Sequence, residues 1–537
     1  MCQVESGVGL EEARRQYLHV AVPLYRAALR NDWVAAEIII RKDREILRTA
    51  ITRAEETVLH IAVGAKHLQF VKNLLNLMDE DEKNAQLPLF RGGQGQTPLY
   101  IAALFGYAEI AWFLYPLTKA TLDQKEWIWI FFTCIHSDLY GLGLKMFEDD
   151  SALAMARDVN DDTALHILAR KPLAFLQQSS ESVALKLTRG LWKEILMQLP
   201  DFNVKQLIDN PTRVLFEAAE VGNFPFLVEL IHSYPDLVWK VDDKNRTIFH
   251  VAVLNRHANI FNLIHEIGYA KHAIVTFKDN EDNNMLHLAA TLPPQHRQNA
   301  ELGGTWNLHH ELVWFEAVKK IMQPSYAELK NSNGFTPQDV FTITHASLFK
   351  DGERWMKDTA KFGMLVSILI TIGVFLASFH AVNGEEKILV LSHVLNVSVL
   401  VTLASSSIST LMFLSILTSN YEKMNFLYVL PFTLITGLVT LFIAMSTMMV
   451  AFNGRLFISL PHGLKWVATL TFTGTFIPVA LFVLVQHYQL LSNMWDSTFV
   501  SKLLSGKGKY HAFHRKTNAS LYTESHDACD GSSFHVL

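Results

Sequence analysis

The sequence predicts an all-α protein in two parts, a helical-repeat solenoid followed by a four-helix transmembrane bundle. Three observations carry this expectation. A six-residue pattern recurs along the first two-thirds of the 537 residues, and four long apolar segments follow it. Charge is withheld from that second part. Of 47 Lys and Arg and 52 Asp and Glu, only Glu385, Glu386, Lys387, Glu422, Lys423, Arg455 and Lys465 fall between Phe362 and His487. With 50% hydrophobic residues the chain can bury a large core, and the segregation excludes a wholly soluble enzyme and a wholly disordered scaffold. A net charge of −5 gives no electrostatic case for nucleic acid as a partner.

The pattern reads Thr57-Val58-Leu59-His60-Ile61-Ala62, Thr97-Pro98-Leu99-Tyr100-Ile101-Ala102 and Thr163-Ala164-Leu165-His166-Ile167-Leu168. It returns as Thr247-Ile248-Phe249-His250-Val251-Ala252 and Asn284-Met285-Leu286-His287-Leu288-Ala289, then as the half-match Thr336-Pro337. Degenerate starts at Val22, Ile128 and Arg213 complete the series. Most intervals lie near the ~33-residue ankyrin period, and two longer ones read as insertions. The chemistry fits: Thr caps a helix start, Pro at the first turn loses no needed hydrogen bond, and small alanines let paired helices approach. Gly64, Gly106 and Gly222 stand where the first helix ends and a left-handed residue is useful. One such unit cannot bury its apolar face alone, but a stack can. The expectation is an ankyrin-repeat solenoid of about eight to nine repeats, some degenerate, over 21–345. An N-terminal tail, 1–20, precedes it, and insertions occupy 171–211 and 291–310. The first insertion holds an amphipathic run from Val183 to Leu199; the second, with Pro293-Pro294 and Gly303-Gly304, reads as an exposed loop.

The apolar segments are 362–380, 388–417, 426–452 and 464–486, each long enough for a bilayer that about 20 helical residues span. A juxtamembrane helix, 346–361, leads into the four-span domain, 362–487, and a tail, 488–537, follows. Lys350, Arg354, Lys357, Lys361, Lys423, Lys502, Lys507, Lys509, Arg515 and Lys516 would lie on one side, against Lys387, Arg455 and Lys465 on the other. By the positive-inside rule both termini are cytosolic. The polar N-terminus shows no secretory signal, and Cys2 excludes N-myristoylation.

The repeats joined to four spans resemble a plant family of ankyrin-repeat membrane proteins carrying the domain named for a Pro-Gly-Gly (PGG) motif, the accelerated-cell-death and salt-tolerance type. The resemblance runs through Arg354-Trp355-Met356-Lys357-Asp358-Thr359-Ala360, Leu411-Met412-Phe413-Leu414-Ser415-Ile416-Leu417-Thr418-Ser419, Leu430-Pro431 and Thr447-Met448-Met449-Val450-Ala451-Phe452. It covers about residues 20 to 490, with Val382-Asn383-Gly384-Glu385 where that family has Pro-Gly-Gly. Asn-Gly still suits a tight turn, but no role of the Pro-Gly-Gly motif carries over. The resemblance implies stress and defence signalling from a membrane, without enzymatic activity.

Candidate chemistry weighs lightly. His60, His166, His250 and His287 recur at one repeat position, where stacking spaces them apart; the reading is a hydrogen bond near the cap residue of each repeat. His309-His310 and the tail histidines at 511, 514, 526 and 535 read as solvated. Ser505-Gly506-Lys507-Gly508-Lys509 lacks the spacing of a phosphate loop. With Lys502, Arg515 and Lys516 it reads as a segment drawn to anionic membrane lipid, or as a plain tail. Asn518-Ala519-Ser520 matches a glycosylation acceptor that a cytosolic tail would never expose to the machinery. Cys2, Cys134 and Cys529 are too few and scattered for a disulfide framework or a zinc site. Ser398, Thr402, Ser405 and Ser409 share one helix face, which could pack within the bundle, form a homo-oligomer seam, or line a polar pathway with Asn396.

No catalytic, cofactor-binding or metal-ligating residue is therefore assigned, and no cofactor is expected. Ankyrin arrays also join four spans in protein S-acyltransferases, but those need a Cys-rich zinc-binding core between spans, where this chain has no cysteine. The leading expectation is a plasma-membrane adaptor, with the endoplasmic reticulum as the second location, that binds proteins through its array. The alternative is an ion channel or transporter subunit formed by oligomerised bundles.

Overall fold

A computed structural model describes residues 17–77, 87–93, 95–175, 182–200, 204, 207–209, 213–294, 304–379, 389–421 and 429–459, with a few positions between 466 and 477. Among the described residues the elements are helices, with only isolated bridges such as Val241 to Thr247 in place of strands. The chain divides into two compact units, Met1–Lys240 and Val241–Leu537.

The first unit is a run of helix pairs. Val22–Arg30, Val58–Gly64, Pro98–Leu104, Gln124–His136, Ala164–Ala169 and Val214–Val221 are the first helices, so each repeat start up to Arg213 falls at or within one. Their partners are Trp33–Lys42, Leu68–Asn76, Ala108–Thr118, Tyr140–Asp149, Val183–Gln198 and Phe224–Ser233. Leu59, Leu99, Leu165 and Leu215 sit at the same repeat position, and all are buried. The left-handed turn between paired helices uses Gly106 (φ 70°) and Gly222 (φ 78°) as expected. In the second repeat, however, Gly64 stays helical and Lys66 takes the positive φ of 63°.

The insertions are a matter of correction. Val183–Gln198 is the second helix of its own repeat, displaced along the chain by a longer connection. Its Leu187 lies 3.7 Å from the position a Cβ would take on Gly143, and Arg189 pairs with Glu229 at 2.6 Å, so it packs between the outer helices on either side. The same holds in the second unit. Of 291–310, read from sequence as an exposed loop, 295–303 lies outside the described residues, while 304 onward opens the helix Gly304–Ile321. Leu308 is fully buried there, and His309 and His310 are half-buried on that helix rather than solvated. Apolar residues at helical spacing were present in both stretches; Gly, Pro and His around them masked the second.

The second unit holds Ile248–Leu254, Met285–Ala290 and Pro337–Thr344 as first helices. The last of these is followed by a 34-residue helix, Ala346–Phe379, so the expected juxtamembrane helix and first span are one continuous element. A buried ion cluster ties it down. Arg256 Nη2 donates to Glu311 Oε2 at 2.5 Å, and His345 Nε2 lies 3.3 Å from the same carboxylate. Burial works against the Glu311 charge, but Arg256 and His345 outweigh it and hold the carboxyl at about 2.

Ala346–Leu376, His393–Thr418 and Leu430–Leu456 are long and apolar enough to cross a membrane, with mean hydropathy of 2.0, 1.9 and 2.1. The fourth expected span, 464–486, and the turn at 382–385 lie largely or wholly outside the described residues. Lipid tails are as apolar as the helices, so association has to come from close packing and polar contacts. Both are present. Ser367 Oγ donates to the Ser406 carbonyl at 2.6 Å, Thr402 Oγ1 to Thr447 Oγ1 at 2.8 Å, and Ser409 Oγ to the Gly437 carbonyl at 2.9 Å. The Phe413 ring fills a slot between Gly363 and Gly437. The Ser398/Thr402/Ser405/Ser409 face therefore packs within the chain at Thr402 and Ser409, in line with the first of its three readings. Ser398 and Ser405 bond back to their own helix, and Asn396 is exposed on another side.

Candidate partner-binding surface

The recurrent histidines explain how the repeats are held before any surface is presented. His60 Nδ1 accepts from the Thr57 N–H at 3.2 Å and lies 2.8 Å from Thr57 Oγ1. That leaves the proton on Nε2, which donates to the Gln96 carbonyl of the next repeat at 3.0 Å. His250 makes the same pair of contacts, 2.8 Å to Thr247 Oγ1 and 3.2 Å to the Phe277 carbonyl. His287 reaches the Phe335 carbonyl at 3.1 Å. The contact with the cap residue was expected; the reach into the following turn was not, because it needs the register of the stack. Burial lowers the pKa of all three, that of His250 to about 4, so the rings are neutral at pH 7 and unavailable as acids. Among the described residues no three His, Cys, Asp or Glu side chains converge as metal ligands. Cys134 is buried, and burial pushes its thiol up to about 12, so it is not a thiolate nucleophile at neutral pH.

The surface that stands out is a cleft of about 680 Å³ in the first unit. Its floor comes from two first helices. Thr97 caps Pro98–Leu104 by accepting from the Tyr100 N–H at 3.2 Å, which starts the helix so that Tyr100 and Leu104, one turn apart, share a face. Asp123 and Glu126 form a reciprocal capping box, 2.7 and 3.2 Å, at the head of Gln124–His136. On that helix Lys125, Trp129, Phe132 and His136 follow steps of four, three and four, so they form one stripe. The stripe faces the cleft. Tyr100 and Trp129 stack with ring centroids 4.0 Å apart, which leaves Trp129 40% exposed as an aromatic platform. Burial holds the Tyr100 hydroxyl protonated.

The far wall is the turn before the fifth repeat. Asp158 Oδ1 accepts from the Asn160 and Asp162 N–H groups at 2.8 and 2.9 Å, and Arg157 Nη1 donates to the Asp161 carbonyl at 2.6 Å. This bonding pins the turn and leaves Val159 at its tip, 94% exposed. The acid and base that meet in the cleft, His136 Nε2 and Asp158 Oδ2, stand 3.9 Å apart, too far for a hydrogen bond. What it offers is desolvation of an apolar group against aromatic and aliphatic side chains, at roughly 25 cal/mol per Å².

Thr97, Tyr100 and Ile128 enter the sequence reading only as parts of the repeat motif, and none of the cleft residues stands out there as a binding surface. The fourth repeat is the one whose start, at Ile128, departs furthest from the motif, so its helix passed as a degenerate unit. The signal was available in Trp127-Ile128-Trp129 and Phe131-Phe132, which place aromatic residues on more than one face of a single helix. A buried helix needs one such face; the second marks a surface.

Helix pairs capped at Thr, stacked through histidine clips and leading into apolar helices define a repeat-array interaction protein with a membrane-anchoring region. The chain carries ankyrin repeats: the family model described as "Ankyrin repeats (3 copies)" matches residues 24–125. Among solved structures the chain is similar to the ankyrin repeat domain of Bcl-3, titled a unique member of the IkappaB protein family. There the identity is 13%, with 50% of this chain and 92% of that chain covered, and the TM-score is 0.24. It is similar also to the human ASB11 ankyrin repeat domain, at 16% identity over 51% of this chain and 92% of that one, with a TM-score of 0.21. No curated protein matches the sequence.

Proposed function

We propose that this protein is a membrane-anchored adaptor without catalytic activity, which recruits protein partners through its cytosolic ankyrin array. In this reading the membrane domain has four spans, the fourth at 464–486, and both termini face the cytosol. The plasma membrane is its place, and plant stress or defence signalling its setting. The observation that carries the reading is the junction. The second helix of the last repeat, Ala346–Phe379, runs on as the first apolar helix, so the array is held at the bilayer surface by its own secondary structure. The Lys/Arg asymmetry supports the orientation. The sequence resemblance around Arg354–Ala360 and Leu411–Ser419 supports the plant setting.

The test combines topology with recruitment. Epitope tags at either terminus should be cleaved by protease added from the cytosolic side, and a tag at Asn383 only from the other. A labelling enzyme on the N-terminus should mark a set of proteins that shrinks when residues 22–240 are deleted. A lumenal C-terminus would remove the four-span topology, and an unchanged protein set would remove the adaptor role.

A further inference from the structure

The cleft carries information about its occupant, because its charges are not equivalent. The acids around it are already committed. Glu126 is held by Arg91 at 2.6 Å and by the Asp123 N–H, Asp158 by two backbone N–H groups, and Asp161 by Arg157 at 3.2 Å. Lys125 is different. It is exposed, faces the cleft, and among the described residues no carboxylate pairs with it. It lies one helical turn from Trp129, about 6 Å along the axis. In an extended chain, at about 3.3 Å per residue, two side chains on one face are separated by a similar distance when they are two positions apart.

We propose that this cleft takes a short acidic peptide in extended form. A bulky apolar side chain of the peptide seats on the Tyr100/Trp129 platform between Leu104, Phe132 and Val159, and a carboxylate two positions away pairs with the Lys125 ammonium. The inference rests on the adaptor reading and deepens it by naming the partner chemistry. The anchor supplies affinity by desolvation in a pocket rimmed by polar groups, as at other interface centres. The carboxylate supplies register, because an apolar residue alone would bind in either chain direction and a charge at one end selects one of them.

The experiment uses the full chain in nanodiscs and random dodecapeptides displayed on phage, followed by fluorescence polarisation with two synthetic probes. One probe carries Trp-Ser-Glu in an Ala/Ser background, the other Trp-Ser-Lys. Selected clones should share an aromatic or leucine residue with Asp or Glu two positions away. The Glu probe should bind at least tenfold tighter than the Lys probe. Trp129→Ala should weaken the Glu probe at least tenfold, and Lys125→Glu should invert the preference between probes. The inversion matters because a variant that merely misfolds loses both. Equal binding of the two probes, selection of neutral peptides indifferent to Lys125→Glu, or no selected binder at all would overturn the inference. If the array still recruits partners in cells when the cleft proves indifferent, the adaptor reading survives on another surface. If the intact array recruits nothing, both fall together.

Discussion

Acidification should loosen the array at His250 before any carboxylate is touched. The unfolded chain takes up a proton on this histidine below its ordinary 6.5, whereas the folded chain, with the ring wholly buried between Thr247 and the Phe277 carbonyl, resists until about 4. Between those values the unfolded state binds the additional proton, so lowering the pH favours opening. The stabilising contribution is complete above 6.5 and lost as pH falls toward 4. At about 1.4 kcal/mol per pH unit this amounts to about 3 kcal/mol across the window. Glu311, held at about 2 by Arg256 and His345, loses its contribution in a lower window, from about 4.5 downward, which overlaps only the foot of the His250 window. Amide hydrogen exchange of residues 247–254 in the detergent-solubilised full chain, corrected for the intrinsic pH dependence of exchange, reads the opening free energy. A decline of about 3 kcal/mol between pH 6.5 and 4 is expected, with a nearly flat profile for His250→Gln. The same slope in the wild type and in His250→Gln would refute the assignment.

Four further perturbations test the fold. Leu165→Ala and Leu99→Ala remove buried leucines of the repeat motif and should each cost about 2–5 kcal/mol in thermal unfolding followed by circular dichroism. Exposure does not make the turn residue Asn245 expendable. Asn245 has φ of 60° and donates to the Lys278 carbonyl at 2.7 Å, so Asn245→Ala should cost on the order of 1–3 kcal/mol in the same assay. Arg256→Met leaves Glu311 buried without its main partner and should cost about 3–5 kcal/mol, with Arg256→Met/Glu311→Leu recovering much of that loss. Gly363→Ala would place a Cβ 2.5 Å from the Phe413 ring, whose other side meets Gly437, so the bundle should weaken by about 1–3 kcal/mol in steric-trapping measurements. A Gly363→Ala/Phe413→Leu pair no more stable than Gly363→Ala alone would refute the slot.

The array was legible because its signal is periodic: Thr or Asn caps and buried leucines recur at fixed offsets, and a stack requires each of them. Three of the apolar helices were legible through length and absence of charge. What escaped depended on neighbours. Val183–Gln198 is legible as a helix but not as the repeat's own outer helix, since Gly143, well before Leu187, and Glu229, 40 residues after Arg189, meet it only on folding. The first seven residues of Gly304–Ile321 read as loop in sequence because Pro293-Pro294, Gly303-Gly304 and His309-His310 lie in and before them, while the Glu311 pairing that fixes the helix becomes visible only beside Arg256 and His345. The cleft escaped for the opposite reason: it sits in the repeat that has lost the motif.

The junction between array and membrane follows from helix length. Ala346–Phe379 spans 34 residues, about 50 Å at 1.5 Å per residue, against a hydrocarbon core of about 30 Å. Roughly 20 Å must stand in water, and Lys350, Asp351, Glu353, Arg354, Lys357, Asp358 and Lys361 occupy that end of the helix. The start of the helix is fixed by His345 against Glu311, and Lys357 lies 4.8 Å from the Tyr421 ring in the connection after the second apolar helix. Both ends of the aqueous part are therefore held, one by the last repeats and one by the bundle. A helix interior without proline does not bend freely, so a tilt of the last repeats has to be carried into the first apolar helix.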